Sequence, residues 1–485
     1  MMKTRRINIL NIFVLIMLMF VSKVMCDISF IIDKGYIYVS MLSFAFVIYQ
    51  LIVLKRCFDV DIISTISIFV ILLHVFNFGN FYLKTFGKEE FYIFFKDWFA
   101  DDLFNKVKVG FWAICIIQAL FSGICIYLSK GERAFVDYRR FEGRSDSEKR
   151  KAIQFCGLVM FILSFPCRVY WDVNQIVLGQ VSGYVGGFSQ VGLIDDIAFL
   201  FAPSLICLMY AKKKNKKFCL RVFLFYVLYT TVVMTLSGAR RAYITSLIAV
   251  FVFYYESFLK NSDGNAGKKK HGVLFYFTIV IIAMILLNFL TIVRDYRHSV
   301  MLMNTGMAGQ WSDLFSLDFI WDVFGEFGLT GIPLYYAHQY FITEIPCYYG
   351  LNLLLSIVFI LPIGWMFNYT FVTTRLMDQI HFNGLYMNTG LGSSILCELY
   401  GDFGRITPLF AVIAGYVLAS FCTTNSKGND DTSIKMVTRY CLSIVIINYV
   451  RGSTSEVFRN GGYVIIFIYM LTMLYFSINK QSLTK

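Results

Sequence analysis

The sequence predicts an all-α, polytopic integral membrane protein with about twelve transmembrane helices. Three observations lead there. Hydrophobic residues make up 58% of the chain and charged residues only 15%, whereas soluble domains run at about 45–50% apolar and about 25% charged. Aromatic residues reach 18%, which excludes a disordered chain, since such chains are poor in aromatics and rich in charge. Apolar runs of bilayer-crossing length recur along the sequence, and a span needs roughly 20 such residues. So few polar side chains cannot clothe a water-facing globule of 485 residues.

The apolar runs fall at 7–25, 36–54, 62–83, 109–128, 152–170, 193–210, 219–236, 242–259, 272–293, 404–422, 436–450 and 461–477. Lys3, Arg5 and Arg6 precede the first, as in a signal peptide. Its apolar core is long and no small-residue cleavage site follows, so it reads as a retained anchor. Loop 129–151 carries eight basic residues, 211–221 six and 260–271 four. Counting spans puts these loops on the side of the N-terminus, and the positive-inside rule makes that side the cytoplasm. The net charge of +13 is thus a topology signal, and no nucleic-acid partner is expected. The 12 cysteines lie mostly inside apolar runs, where they read as small buried apolar residues. There is no CxxC pair, Cys/His cluster, DxD-like motif, Walker loop, GxSxG or HExxH. No metal and no cofactor is therefore expected.

Residues 294–403 are too apolar for a free loop and rich in aromatics, including Trp311, Trp321, Tyr335, Tyr336, Tyr348 and Tyr349. Segment 351–370 has the length of a span, but Pro362 and Gly364 interrupt it. We read it as re-entrant or lying in the interface, because irregular backbone at membrane depth survives only where protein or a cavity covers it. The expected organisation is a nine-span bundle over 1–293, a large, partly re-entrant external loop domain over 294–403, and three closing spans over 404–485.

Lysine is absent from 152–211, 218–259, 271–426 and 436–479, yet arginine persists there: Arg168, Arg240, Arg241, Arg294, Arg297, Arg375, Arg405, Arg439, Arg451 and Arg459. Topology pressure disfavours both residues. Keeping only the planar, forked one points to bidentate recognition of phosphate or carboxylate, against the alternative of snorkelling at helix ends. Four constellations stand out. Thr235–Tyr243 places Arg240 and Arg241 in the first turn of a helix that Ser237 can cap, where free N–H groups and the dipole favour an anion. In Arg294-Asp-Tyr-Arg-His298, Arg294 and Arg297 share a helix face. Asn388–Ser394 and Glu398–Gly404 combine glycines suited to tight turns with Glu398 and Asp402. Glu398 is a candidate general base if desolvated, or else the partner of an arginine such as Arg405. Finally, Asn448–Glu456 sets Arg451 beside Gly452 and a run of hydroxyl residues.

The segments Ser237–Ala242, Phe289–Arg297, Leu361–Trp365, Gly390–Gly404 and Tyr449–Gly462, in that order, resemble the Wzy-type O-antigen and capsular polysaccharide polymerases. The resemblance implies a GT-C-like, all-helical glycosyltransferase facing outward from the bacterial cytoplasmic (inner) membrane. Its substrates would be undecaprenyl-diphosphate-linked repeat units, with Arg240, Arg241, Arg294, Arg297 and Arg451 on the diphosphate. A chain-length regulator and a flippase of the same pathway are the implied protein partners. Several relatives carry His where this chain has Asn388. His381 or Glu398 would then take the part of the base, or no strict base is needed. A ligase using the same lipid donor and a lipid-linked oligosaccharide flippase are the alternative functions.

Overall fold

The computed structural model describes residues 2–27, 34–89, 99, 102–130, 144–182, 192–237, 241–260, 318–361, 369–382, 392–422 and 433–482. These residues are helical almost throughout and form no strand. Every predicted span except 272–293, which lies outside the described residues, coincides with helix: α1 Met2–Asp27, α2 Gly35–Phe58, α3 Thr65–Thr85, α4 Leu103–Lys130, α5 Asp146–Ser182, α6 Leu193–Phe199 with α7 Phe201–Ala211, α8 Lys216–Ser237, and α9 Arg241–Tyr254. Between the second and fourth constellations come α10 Phe319–Gly328, α11 Gly331–Tyr340, α12 Leu351–Val358, α13 Val372–Phe382 and α14 Ile395–Phe403. The closing helices are α15 Thr407–Phe421, α16 Ile434–Tyr449 and α17 Thr454–Ser482. Eight helices among the described residues are long and apolar enough to cross a membrane, and two more are apolar but shorter. The eight residues of α12 reach only about 12 Å at 1.5 Å each, far short of a bilayer core of about 30 Å.

The chain divides into two compact units, Met1–Cys156 with Phe324–Lys485, and Gly157–Val323. In the first, α4 is the axis, buried along nearly its whole length and crossed by α15. Two glycines permit that crossing. A Cβ on Gly123 would overlap the carbonyl oxygen of Val412, and one on Gly415 would overlap that of Leu120. The two backbones therefore touch, as small residues allow between membrane helices. A second set of bonds, polar and fully buried, joins α2, α3 and α4. Ser43 Oγ lies 2.8 Å from His74 Nδ1 and 2.8 Å from the Tyr82 hydroxyl, His74 Nε2 lies 3.1 Å from Gln50 Oε1, and Gln50 Nε2 donates to Gln118 Oε1 at 3.1 Å. A neutral imidazole protonated on Nε2 satisfies every link in this chain.

The second unit contains the greater part of α5 together with α6 to α9. Tyr226 on α8 donates to Ser246 Oγ on α9 at 2.8 Å, and Val233, Met234 and Tyr243 form a buried apolar core against Trp171 and Tyr229.

Candidate functional site

The buried carboxylates Glu398 and Asp402, 1% and 2% exposed, lie one helical turn apart on α14. Ser394 begins that helix in extended backbone and accepts the Cys397 N–H on its hydroxyl at 3.1 Å. This is the capping geometry expected of serine. The helix ends at Gly404, whose φ of +53° is a conformation that side-chain-bearing residues seldom adopt.

Each carboxylate is held by a different part of the chain. Asp402 accepts the backbone N–H of Asn352 at 3.2 Å and of Leu353 at 3.1 Å, so it caps the start of α12. In return, the N–H groups of Tyr348 and Tyr349 donate to the Gly401 and Asp402 carbonyls at 3.1 and 2.6 Å, closing the end of α14. Glu398 Oε1 accepts from the hydroxyls of Thr373 at 2.6 Å and Ser393 at 2.7 Å, and Oε2 accepts from Asn352 Nδ2 at 3.0 Å. Neutral donors thus take the place of the cation that desolvation would otherwise demand. Arg405 is exposed and forms no ion pair with Glu398, which corrects the expectation that it neutralises that carboxylate.

Around the pair stands an aromatic wall. Tyr348 and Tyr369 meet edge to face at 5.7 Å, Tyr369 and Phe371 at 5.1 Å, and Phe371 and Phe359 at 5.1 Å. The Arg375 guanidinium lies 5.5 Å from the Tyr348 ring centre. Burial pushes the Tyr369 phenol above its ordinary range. Tyr348, Asp402 and Glu398 add to the rise and Arg375 opposes it. The Tyr369 hydroxyl is buried with no hydrogen-bond partner among the described residues. On α11, the His338 ring stacks 5.3 Å from Tyr400. Burial, with Lys108 and Arg405 nearby, lowers its pKa to about 4.

The residues singled out from sequence fall in four places. Glu398 lies at the centre of this knot. His381 is exposed near the C-terminal end of α13. Arg451 occupies the turn between α16 and α17, with Nη1 donating to the Glu326 carbonyl at 3.4 Å. Arg241 opens α9. Arg240, Arg294, Arg297 and Asn388 lie outside the described residues. Ser237 ends α8, and its hydroxyl donates to the Val233 carbonyl at 2.7 Å. Sequence reading did not find Asn352, Thr373 and Ser393 as carboxylate partners. Only Ser393, five residues from Glu398, carried a local signal.

A family model for the O-antigen polysaccharide polymerase Wzy matches residues 7–482. The chain belongs to that family. No curated protein and no solved structure matches it. A Wzy polymerase joins O-antigen repeat units, a glycosyltransferase-type reaction on lipid-linked oligosaccharides in a membrane, and the long apolar helices make this a multi-pass membrane protein. Within the family assignment, the Glu398–Asn352–Asp402 knot positions the short helices α12 and α13 against α14. Removing the Glu398 carboxylate leaves buried donors from three segments, each costing about 1–3 kcal/mol when unsatisfied. We expect Glu398→Ala to lower the melting temperature of the purified protein sharply and Glu398→Gln, which keeps an acceptor, to do so much less. Equal melting temperatures for the two variants would remove the knot from the account.

Proposed function

We propose that the chain lengthens a glycan at the outer face of the bacterial cytoplasmic membrane. The growing chain leaves its undecaprenyl diphosphate carrier and joins the end sugar of a new lipid-linked unit. The bond from the anomeric carbon to the diphosphate oxygen breaks, and a glycosidic bond to the acceptor hydroxyl forms. The hydroxyl proton is released, and the carrier departs as its diphosphate. The sugar arrives activated, so neither ATP nor a nucleotide sugar enters. The family match over 7–482 carries this reading. The basic loops 129–151, 211–221 and 260–271 support an outward-facing active site.

The chemical demand is stabilisation of a departing diphosphate. Permanently charged, forked side chains meet it, and we assign Arg240, Arg241, Arg294, Arg297 and Arg451 to that task. Both oxygens of Glu398 are engaged, which favours a positioning role for it. Orienting or deprotonating the acceptor hydroxyl then falls to His381 and Asn388, or proceeds without a strict base. A chain-length regulator and a flippase are the proposed partners in the cell.

The glycan ladder of cells lacking the gene tests the reading. A product capped with one repeat unit is the expected result. Complete loss of surface glycan would indicate a flippase, and long unattached chains a ligase. With purified protein and lipid-linked repeat units, extension should continue in a chelator. Activity lost there and restored by a divalent ion would defeat the arginine-only account of leaving-group stabilisation.

A further inference from the structure

Helix α5 runs apolar through 152–170, yet Ser164, Arg168, Asp172 and Gln175 follow one another at spacings of four, four and three. That period places all four on one face of the helix. Charged residues inside an apolar helix are costly and tend to be functional.

The arrangement around Arg168 is built, not incidental. Its Nε donates to Asp172 Oδ2 at 3.0 Å. The guanidinium carbon lies 4.8 Å from the Trp171 ring centre and 4.6 Å from that of Tyr243. Asp172, 2% exposed, also receives the hydroxyls of Tyr229 on Oδ2 and Tyr243 on Oδ1. Three contacts therefore fix the plane of the guanidinium. A pairing made only for neutrality would be bidentate, fork to fork. Here the carboxylate takes Nε alone, and Tyr243 occupies its second oxygen. Nη1 and Nη2 donate to no carboxylate and no carbonyl among the described residues; the Tyr229 hydroxyl also lies within hydrogen-bonding reach of the guanidinium, and the side chain is 19% exposed.

Two further observations point to a ligand on this face. Ser164 Oγ and Gln175 Oε1, on residues 0% and 4% exposed, have no hydrogen-bond partner among the described residues. Such groups cost free energy unless something else satisfies them. In addition, Tyr243 closes the Thr235–Tyr243 constellation and lies two residues after Arg241. Asp172 is thus the joint between the polar stripe of α5 and the start of α9.

We propose that Arg168 is a further phosphate-binding residue, its two terminal nitrogens taking oxygens of a substrate diphosphate while Asp172, Tyr229 and Tyr243 act as positioning residues for the fork. The proposal rests on the diphosphate reading above. The same chemistry would suit the phosphate of a bilayer lipid headgroup, so the test must separate the two sources.

Full-length protein in phosphatidylcholine nanodiscs is titrated with undecaprenyl diphosphate and, separately, prepared with phosphatidylglycerol. The wild-type protein should bind the diphosphate. Arg168→Gln should weaken that binding by about a hundredfold and Arg168→Lys by about tenfold, because lysine keeps the charge and loses the fork; Arg168→Lys, which keeps a cation beside the buried Asp172, should melt like the wild type. Asp172→Asn should weaken binding as well, the fork being intact but no longer held. If Arg168→Gln does not accumulate, Arg168→Lys alone decides. Arg168 variants that bind the diphosphate like the wild type overturn this inference and leave the diphosphate reading standing. Variants that lose only the response to phosphatidylglycerol overturn it in favour of a headgroup site. A wild-type protein that binds no diphosphate overturns the reading and the inference together.

Discussion

Replacing Arg240, Arg241, Arg294 or Arg451 by alanine should each collapse the surface glycan to short chains, with protein level and membrane insertion unchanged. One charged donor lost from the leaving group costs about 3–4 kcal/mol, a fall of about 10²–10³ in rate. Lysine at the same positions should restore little, because a point charge cannot grip two oxygens as a planar fork does. Arg139→Ala and Arg140→Ala, in the basic loop 129–151, serve as controls and should be nearly silent. The measurement is chain-length distribution beside an immunoblot of the protein. Long chains surviving all four alanine changes would reduce these arginines to membrane anchors.

The second large effect is on folding. The crossing of α4 and α15 has no room for a side chain on either glycine, since the obstructing atoms are backbone oxygens of the partner helix. A flexible side chain could move aside, but a carbonyl in a helix cannot. Gly415→Leu should therefore force the helices apart and cost more than the 1–3 kcal/mol of ordinary overpacking, enough to remove most folded protein. Gly123→Leu should do the same. Leu409→Ala on α15, where the native side chain is 67% exposed, should leave the melting temperature almost unchanged. A Gly415→Leu protein that accumulates and melts like the wild type would show that the crossing does not hold the unit together.

The long helices were legible because each announces itself locally, as a run of apolar residues of the right length, whereas the short helices between 319 and 403 carry no such run. Pro362 and Gly364, which marked segment 351–370 as interrupted, lie outside the described residues, and α12 ends before them at Val358. The Glu398 site was legible in its carboxylates and not in its partners. Asn352 and Thr373 are 46 and 25 residues away in sequence, and nothing local to either residue marks it as a donor to a buried acid. Arg405, seven residues on from Glu398, offered a charge that pattern reasoning favours over hydroxyls, but a buried carboxylate needs hydrogen bonds more than a distant cation. Arg168 was visible among the arginines kept where lysine is excluded. What sets it apart, the stacking between Trp171 and Tyr243, needs helices that only the fold brings together.

Asp402 has a consequence for how any anionic ligand is recognised near α12. The first turn of a helix is a ready-made seat for phosphate, and its free N–H groups do not discriminate between a substrate and any passing anion. In this chain the seat is taken, because Asp402 fills it with a carboxylate that cannot diffuse away. The protein thereby gives up an indiscriminate attraction and leaves recognition to side chains whose reach and number can be selected. Asp402→Ala would vacate that seat and turn α12 into an adventitious anion trap, in which inorganic phosphate could compete with the lipid-linked substrate.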